Sequence, residues 1–320
     1  MQSDTFAVPR DGASIFVRRW LPAAPPRLAV QIAHGLAEHS ARYERLALAL
    51  TGAGCAVYAS DHRGHGPTCA PADLGLFAAR DGWRKCLDDL WAVNRRIGAD
   101  FPGLPIVFMG HSLGSVMGQQ FIAEHGAALA GAVLSGTSGT PPAILPIGRL
   151  IARLERWRLG PRGHSALLQK MLLGDFNKPF EPARTPFDWL SRDAAEVDRY
   201  IADPLCGFPF TVQLAIDILD AIGPIASKET VARIPKALPI HVFSGARDPV
   251  GARLQSLIDA YRAAGLTKVT QRLYPDARHE TLNETNRDEV TADLIGWLNT
   301  LGAEAAAGAD NGRKGNAPWP

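Results

Sequence analysis

The chain has 320 residues, of which 46% are hydrophobic and 21% charged, and its formal net charge is +2 at pH 7. This composition is typical of a globular protein and excludes a fibrous or disordered chain. A charge so close to neutral, with scattered arginines, excludes nucleic acid as an expected partner.

The cysteines and the N-terminus predict a cytoplasmic protein. Cys55, Cys69, Cys86 and Cys206 are widely separated and show no Cys-x-x-Cys spacing, so neither a zinc site nor a disulfide framework is predicted. Met1–Arg10 lacks the hydrophobic region of a signal peptide, and no apolar run approaches membrane-spanning length. We therefore expect reduced thiols in an intracellular protein.

The first 137 residues alternate between predicted strands and helices. The β-rich runs Thr5–Val8 and Ser14–Leu21 flank a turn signal and predict an antiparallel hairpin. Next come strand Leu28–Ala33, a helix near Arg42–Leu50, strand Ala56–Ala59, a helix near Trp83–Ile97, strand Pro105–Met109, a helix after Ser112 and strand Ala132–Leu134. This alternation predicts an α/β fold, with a mostly parallel central sheet and helices on both faces.

The alternation stops after Ser138 and resumes after Val231. The intervening segment contains four predicted helices, Ile144–Leu159, Ala166–Leu173, Phe187–Ala202 and Thr211–Ile222. Beyond it lie strand Ile240–Phe243, a helix near Leu254–Ala264, strand Val269–Tyr274 and a helix near Glu284–Leu301. We therefore predict a core formed by residues 1–137 and 232–302, a helical cap inserted at 138–231, and a disordered tail at 303–320.

A candidate nucleophile lies in Gly110-His111-Ser112-Leu113-Gly114, between a predicted strand and a predicted helix. Glycine two positions to either side of Ser112 leaves room for a sharp turn that presents the serine hydroxyl. A plain turn uses the same residue types, so the assignment depends on partners elsewhere in the chain.

A serine nucleophile needs a base within hydrogen-bond reach and a carboxylate that orients the base. Asp248 follows the predicted strand that ends at Phe243, and His279 follows the one that ends at Tyr274. Parallel strands bring their carboxyl ends to one edge, where Ser112 also emerges. Alone, Asp248 is equally consistent with a turn and His279 with a surface loop. Their order after the serine is that of α/β-hydrolases.

Attack by Ser112 on an acyl carbonyl creates an oxyanion, which requires preorganised N–H donors. We expect one donor to be the backbone N–H of Leu113, at the start of the helix. The other is expected from the backbone N–H of Leu36, in the loop after strand Leu28–Ala33. This chemistry requires no cofactor and no metal.

Five stretches of sequence support this assignment together. They are His34-Gly35-Leu36-Ala37-Glu38-His39-Ser40 with Arg42-Tyr43, Ser60-Asp61-His62-Arg63-Gly64-His65-Gly66, Gly110–Gly114, Ser244-Gly245 with Asp248, and His279-Glu280. The set resembles α/β-hydrolases of the monoacylglycerol lipase and lysophospholipase group over nearly the whole chain. It departs at Pro67, where a serine is usual, and around Asp175–Arg184, which resembles bacterial lysophospholipase-like members more than animal monoacylglycerol lipases. The resemblance implies an α/β-hydrolase fold with a cap, a triad of Ser112, Asp248 and His279, an oxyanion hole at Leu36 and Leu113, and hydrolysis of single-acyl lipid esters.

Three alternative functions stay open. An acyl-enzyme can be intercepted by another nucleophile, so an acyltransferase or a peptidase on the same fold is consistent with the motifs. A binding protein on a hydrolase scaffold is a third alternative, which an intact triad disfavours.

Two further features have competing interpretations. The cluster of His34, His39, Asp61, His62 and His65 fits no metal-ligand spacing, and the resemblance implies that these residues shape loops. Glu38 and Glu280 flank the site loops, where hydrogen bonds that support the site are an open alternative.

The predicted helix Ile144–Leu159 has an apolar stripe of Ile147, Leu150, Ile151 and Leu154, with its arginines mostly off the stripe. We expect the stripe to dock on the protein itself. The alternative is contact with a membrane surface through the cap.

Overall fold

The computed structural model describes residues 2–11, 13–174 and 176–313. Its centre is an eight-stranded sheet. The strands are β1 Gln2–Arg10, β2 Ala13–Leu21, β3 Leu28–Ala33, β4 Cys55–Ser60, β5 Ile106–His111, β6 Gly131–Ser135, β7 Ile240–Gly245 and β8 Val269–Tyr274.

The strands lie in the order β1-β2-β4-β3-β5-β6-β7-β8. The first two form the predicted antiparallel hairpin, and β2 also pairs antiparallel with β4. All other neighbouring strands pair in parallel. The carboxyl ends of β3 to β8 therefore share one edge of the sheet, which is where an open parallel sheet forms its ligand site.

Helices cover both faces of this sheet. In chain order, the helices of the described residues are α1 Glu44–Gly52, α2 Gly82–Asp100, α3 Leu113–His125, α4 Leu145–Leu159, α5 Ala166–Leu173, α6 Ala194–Ala202, α7 Val212–Ile225, α8 Lys228–Ala232, α9 Leu254–Ala263 and α10 Arg287–Arg313. Apolar residues of α1 and α10 pack with one set of strand side chains, and those of α2, α3 and α9 pack with others. The predicted α/β fold class is confirmed.

The segment between β6 and β7 contains α4 to α8. One predicted helix, Phe187–Ala202, is wrong in its first half because α6 begins only at Ala194. The Asp193 side chain accepts a hydrogen bond from Ala195 N at 3.0 Å and caps the helix there. Residues 187–193 are therefore a loop, and this loop reaches the candidate site.

The docking face predicted for α4 is wrong for three of its four residues. Ile147, Leu150 and Leu154 are exposed, whereas Gly148 and Ala152 are buried against the protein. Small residues allow α4 to approach α7 closely, and Arg149 Nε donates to the Leu219 carbonyl at 2.9 Å. Ile151, the fourth residue of the stripe, is half-buried and packs against the apolar cluster that contains residues of α7, so only the other three residues are exposed.

The predicted disordered tail at 303–320 lies partly outside the described residues. Helix α10 continues through Arg313, and residues 314–320 lie outside the described residues. The segment 303–307 contains four alanines, and alanine has the highest intrinsic helix propensity.

Candidate active site

Ser112 occupies a strained turn between β5 and α3. Its backbone angles are φ 51° and ψ −118°, a conformation that side chains rarely adopt. A Cβ at Gly110 would lie 2.6 Å from the Gly114 carbonyl carbon, and a Cβ at Gly114 would lie 2.6 Å from the Ala33 carbonyl carbon. The turn therefore closes only with glycine at both positions, and it leaves Ser112 partly accessible.

Asp248 and His279 lie in the loops after β7 and β8 and form a hydrogen-bonded pair. His279 Nδ1 is 2.9 Å from Asp248 Oδ1, and both side chains are buried. Ser244 Oγ donates to Asp248 Oδ2 at 2.6 Å, and Val250 N donates to Oδ1 at 2.9 Å. With Nδ1 donating to the carboxylate, the lone pair of the neutral imidazole lies on Nε2.

The electrostatics of this pair favour an ionised carboxylate and a basic imidazole. Burial lowers the pKa of His279, but the Asp248 carboxylate, together with Glu280 and Glu38, outweighs burial and the net pKa is raised. Burial raises the pKa of Asp248, but the His279 imidazole and the hydrogen-bond donors outweigh it, so the net pKa is lowered.

Ser112 and His279 line the same cavity. Within the described part of the chain, no hydrogen bond joins the Ser112 hydroxyl to the imidazole; such contacts are often long before substrate binds. Gly136, with φ of 55°, makes room for the ring, because a Cβ there would lie 3.0 Å from His279 Cε1. Sequence reasoning did not identify Gly136, although a glycine directly after β6 was a signal for a close approach.

The two expected N–H donors both border this cavity. Helix α3 begins at Leu113, so this N–H has no acceptor within the helix. Leu36 lies in the loop after β3, and a Cβ at its neighbour Gly35 would lie 3.1 Å from Ser112 Cβ. The loop that carries Leu36 is therefore packed directly against the serine.

A cavity of about 1,330 Å³ opens above the serine. This volume exceeds the roughly 300–1,000 Å³ of most ligand pockets. Its lining includes many apolar side chains from the segment between β6 and β7, among them Ile144, Ile147, Ile151, Leu167, Met171 and Ile222. The site therefore accommodates a large apolar ligand.

The clustered histidines form hydrogen bonds with the backbone of the loops that contain them. Five of the six ring nitrogens of His34, His62 and His65 bond to backbone groups. Burial lowers the pKa of His62 to about 4 and that of His65 to about 3, so both are neutral at pH 7. His65 Nε2 accepts from the N–H of Ala37, whose φ is 55°. These rings therefore stabilise the loop after β3 through hydrogen bonds.

Among the described residues, His39, Asp203 and Cys206 have ligand atoms within 4.8 Å of one another. His39 Nε2 and Asp203 Oδ2 are 2.8 Å apart and already form a hydrogen bond between the loop after β3 and the segment after α6. Burial raises the pKa of the Cys206 thiol, which disfavours the thiolate that a metal requires. The group is therefore best described as a contact between the loop after β3 and the loop after α6.

Comparison with known proteins places this geometry in a family. Residues 24–286 match the model of the family described as serine aminopeptidase, S33. The chain belongs to this family. The monoglyceride lipase of Homo sapiens is 29% identical over 315 residues, covering 93% of this chain and 90% of that protein. The monoacylglycerol lipase of Mycolicibacterium smegmatis is 27% identical over 298 residues, covering 90% of this chain and 93% of that protein.

A solved structure is similar over nearly its whole length. A thermostable carboxyl esterase from Bacillus coagulans, crystallised in complex with glycerol, is 27% identical with a TM-score of 0.87, covering 94% of this chain and 99% of that chain. Membership of the serine aminopeptidase S33 family, with these relatives, confirms the resemblance to α/β-hydrolases of the monoacylglycerol lipase group. None of the helices in the described ranges has the length and hydropathy to cross a bilayer.

Proposed function

We propose that this protein is a serine ester hydrolase that cleaves monoacylglycerols through an acyl-enzyme, with Ser112 as nucleophile, His279 as base and Asp248 as the orienting carboxylate. The observation that carries the proposal is one large apolar cavity lined by both Ser112 and the imidazole that Asp248 holds at 2.9 Å. The human and mycobacterial relatives are named for the same activity.

The proposed reaction uses only side chains and backbone groups of this chain. His279 Nε2 takes the proton of Ser112 Oγ as the oxygen attacks the ester carbonyl. The N–H groups of Leu36 and Leu113 donate to the oxyanion, an interaction worth about 2.7–4 kcal/mol for each donor in other hydrolases. The imidazolium then protonates the leaving alcohol, and water releases the fatty acid by the reverse sequence.

The charges near Ser112 favour a neutral head group. Glu38 and Glu280 line the cavity, and Arg42, which pairs with both, is the one cation of that cluster. The cluster therefore has a net negative charge, which disfavours a phosphate. Lys170 and Arg253 also line the cavity, on α5 and on the turn before α9 and not in this cluster. The net negative charge of the Glu38–Arg42–Glu280 cluster supports a monoacylglycerol over a lysophospholipid as the substrate.

The same charges argue against a peptidase that removes N-terminal residues. Such an enzyme needs a carboxylate that is free to bind the substrate ammonium. In the cavity lining of the described chain, Glu38 and Glu280 are the only acidic residues, and Arg42 engages both of them. Ester hydrolysis is therefore the better proposal for this member of the family.

The direct test compares wild type with Ser112→Ala on p-nitrophenyl acyl esters, 1-monoacylglycerols and lysophosphatidylcholine of equal chain length. We expect hydrolysis that depends on Ser112 and a higher kcat/KM for monoacylglycerol than for the lysophospholipid. Equal rates for wild type and Ser112→Ala would refute the nucleophile. A preference for lysophospholipid would refute the head-group argument, and ester products with added alcohols would indicate an acyltransferase.

The exposed face of the cap supports a finer proposal, peripheral contact with a lipid surface. On α4, Trp157, Leu150 and Leu154 are 88%, 58% and 57% exposed. Ile144 and Ile147 are also exposed and line the cavity, so this face is continuous with the site. We propose that the enzyme is cytoplasmic and contacts a membrane through this face. Its four cysteines are free thiols, which a reducing compartment such as the cytoplasm favours.

Co-sedimentation with anionic phospholipid vesicles tests this contact. Burying one large apolar side chain is worth about 1.5–3 kcal/mol, so Trp157→Ser should weaken vesicle binding by roughly tenfold or more. Leu273→Ser is the matched control, because Leu273 is exposed on β8 and not on the cap. Equal losses for the two variants, or none for Trp157→Ser, would exclude docking through α4.

A further inference from the structure

A buried charge cluster of Glu38, Arg42 and Glu280 joins two loops of the candidate active site. Arg42 Nη1 donates to Glu38 Oε2 at 2.7 Å and to Glu280 Oε1 at 2.6 Å. Arg42 Nη2 donates to the second oxygen of Glu280 at 2.7 Å. The guanidinium therefore forms a two-point contact with one carboxylate and a third bond with the other, a geometry that arginine provides and lysine does not.

The two carboxylates lie close in sequence to residues of the proposed mechanism. Glu38 is two residues after Leu36, and its Oε1 accepts from Gly35 N and from Tyr43 Oη, the latter at 2.9 Å. Glu280 directly follows His279. Arg42 therefore ties the loop that supplies an oxyanion donor to the loop that supplies the base.

The sheet does not set the distance between these loops. They follow β3 and β8, which are separated by β5, β6 and β7. At about 4.8 Å per strand, their origins are roughly 19 Å apart across the sheet. Backbone pairing fixes each strand against its neighbours only, so the convergence of the two loops depends on contacts made beyond the strand ends. The Arg42 cluster is such a contact.

The cap meets the same cluster. Tyr200 of α6 donates its hydroxyl to the Ala37 carbonyl at 2.9 Å, and the Arg42 guanidinium lies 4.9 Å from the centre of its ring. Glu280 N donates to the carbonyl of Leu190 in the cap loop at 2.7 Å. Displacement of Arg42 therefore alters the oxyanion loop, the histidine loop and the cap loop together.

We propose that Arg42 is a positioning residue that, through Glu38 and Glu280, fixes the Leu36 N–H relative to His279 across the active site. Arg42 touches neither the reacting atoms nor the substrate in this role. The inference rests on the proposed ester hydrolysis. A buried ion cluster is costly to desolvate and is a weak source of stability compared with apolar packing. The role of this cluster is to fix the position of the two loops relative to each other.

The test variant is Arg42→Lys, which keeps the charge and loses the two-point contact. A misplacement of about 1 Å can cost roughly 10²-fold in rate, so we expect kcat on a monoacylglycerol to fall by about that factor. KM is expected to stay unchanged. Affinity for a trifluoromethyl ketone, whose adduct with serine mimics the oxyanion, should fall in parallel with kcat.

Arg19→Lys is the matched control. Arg19 bonds two carboxylates, Asp4 and Asp100, at the far edge of the sheet, outside the cavity lining. We expect this variant to keep the wild-type kcat even where its melting temperature falls. A kcat loss in Arg19→Lys equal to that in Arg42→Lys would attribute the effect to stability and overturn the proposal.

Other outcomes are equally decisive. Wild-type kcat in folded Arg42→Lys, or a rise in KM alone, would overturn the positioning role. Where Arg42→Lys does not fold, Glu280→Gln replaces it, because this variant keeps the side-chain size and weakens the same contact; the same loss of kcat at constant KM is expected. Absence of Ser112-dependent hydrolysis in the wild type would overturn the proposed function itself and this inference with it.

Discussion

A substitution of Gly114 tests the close packing of the turn that holds Ser112. In Gly114→Ala, the new Cβ would lie 2.5 Å from the His34 carbonyl oxygen and 2.6 Å from the Ala33 carbonyl carbon. These are backbone atoms at the end of β3, so no rotamer change relieves the clash. Helix α3 has to withdraw by about 1 Å to restore an ordinary contact, and Leu113 N–H moves away from Leu36 N–H.

Overpacking of this kind costs about 1–3 kcal/mol in unfolding free energy. A shift of about 1 Å at the reacting groups can cost roughly 10²-fold in kcat. Urea denaturation and p-nitrophenyl ester hydrolysis measure the two effects. Gly98→Ala in α2 is the matched control, because nothing lies within 4 Å of its Cβ and the helix should gain about 1 kcal/mol. Wild-type stability and activity in Gly114→Ala would refute the packing argument.

Two other predictions concern the Asp248–His279 pair. Ser244→Ala removes a donor from a buried carboxylate and should cost about 1.5–3 kcal/mol of unfolding free energy in a urea titration. Ser256→Ala, whose two hydroxyl hydrogen bonds are both exposed to solvent, should stay within about 0.5 kcal/mol of wild type. Because the base must be neutral and the pKa of His279 is raised, the acid limb of kcat/KM should lie above pH 6.5. In Asp248→Asn the acid limb of kcat/KM should move to lower pH, because burial still lowers the pKa of His279 and the carboxylate that raises it is gone. An acid limb at the wild-type pH would contradict the role of Asp248.

The sheet was readily predicted because its strand signals are local. The predicted strands Leu28–Ala33 and Val269–Tyr274 have the same bounds as β3 and β8. Each is a short β-favouring run bounded by turn residues. The proximity of Asp248 and His279 follows from the same reasoning, because parallel order brings the ends of β7 and β8 to one edge.

The orientation of α4 could not be predicted in the same way. Its apolar residues suggested one docking face, but the contact with α7 is made through Gly148 and Ala152. Close approach between helices depends on small residues and on the shape of the partner, and that partner begins at Val212, far along the chain. The helix periodicity therefore predicted that α4 is amphipathic and could not identify which side meets the protein.

The Arg42 cluster shows a more general reason why site geometry is harder to predict than strand order. Arg42 and Glu280 are 238 residues apart, and nothing local in the sequence pairs them. The sequence indicated that Glu38 and Glu280 flank the site loops and left hydrogen bonds that support the site as an alternative, but it did not identify their shared partner. Buried charges beside proposed site residues have to find partners, because an unpaired buried carboxylate is strongly destabilising. Two carboxylates brought to one sheet edge therefore require a shared cation, and Arg42 supplies it.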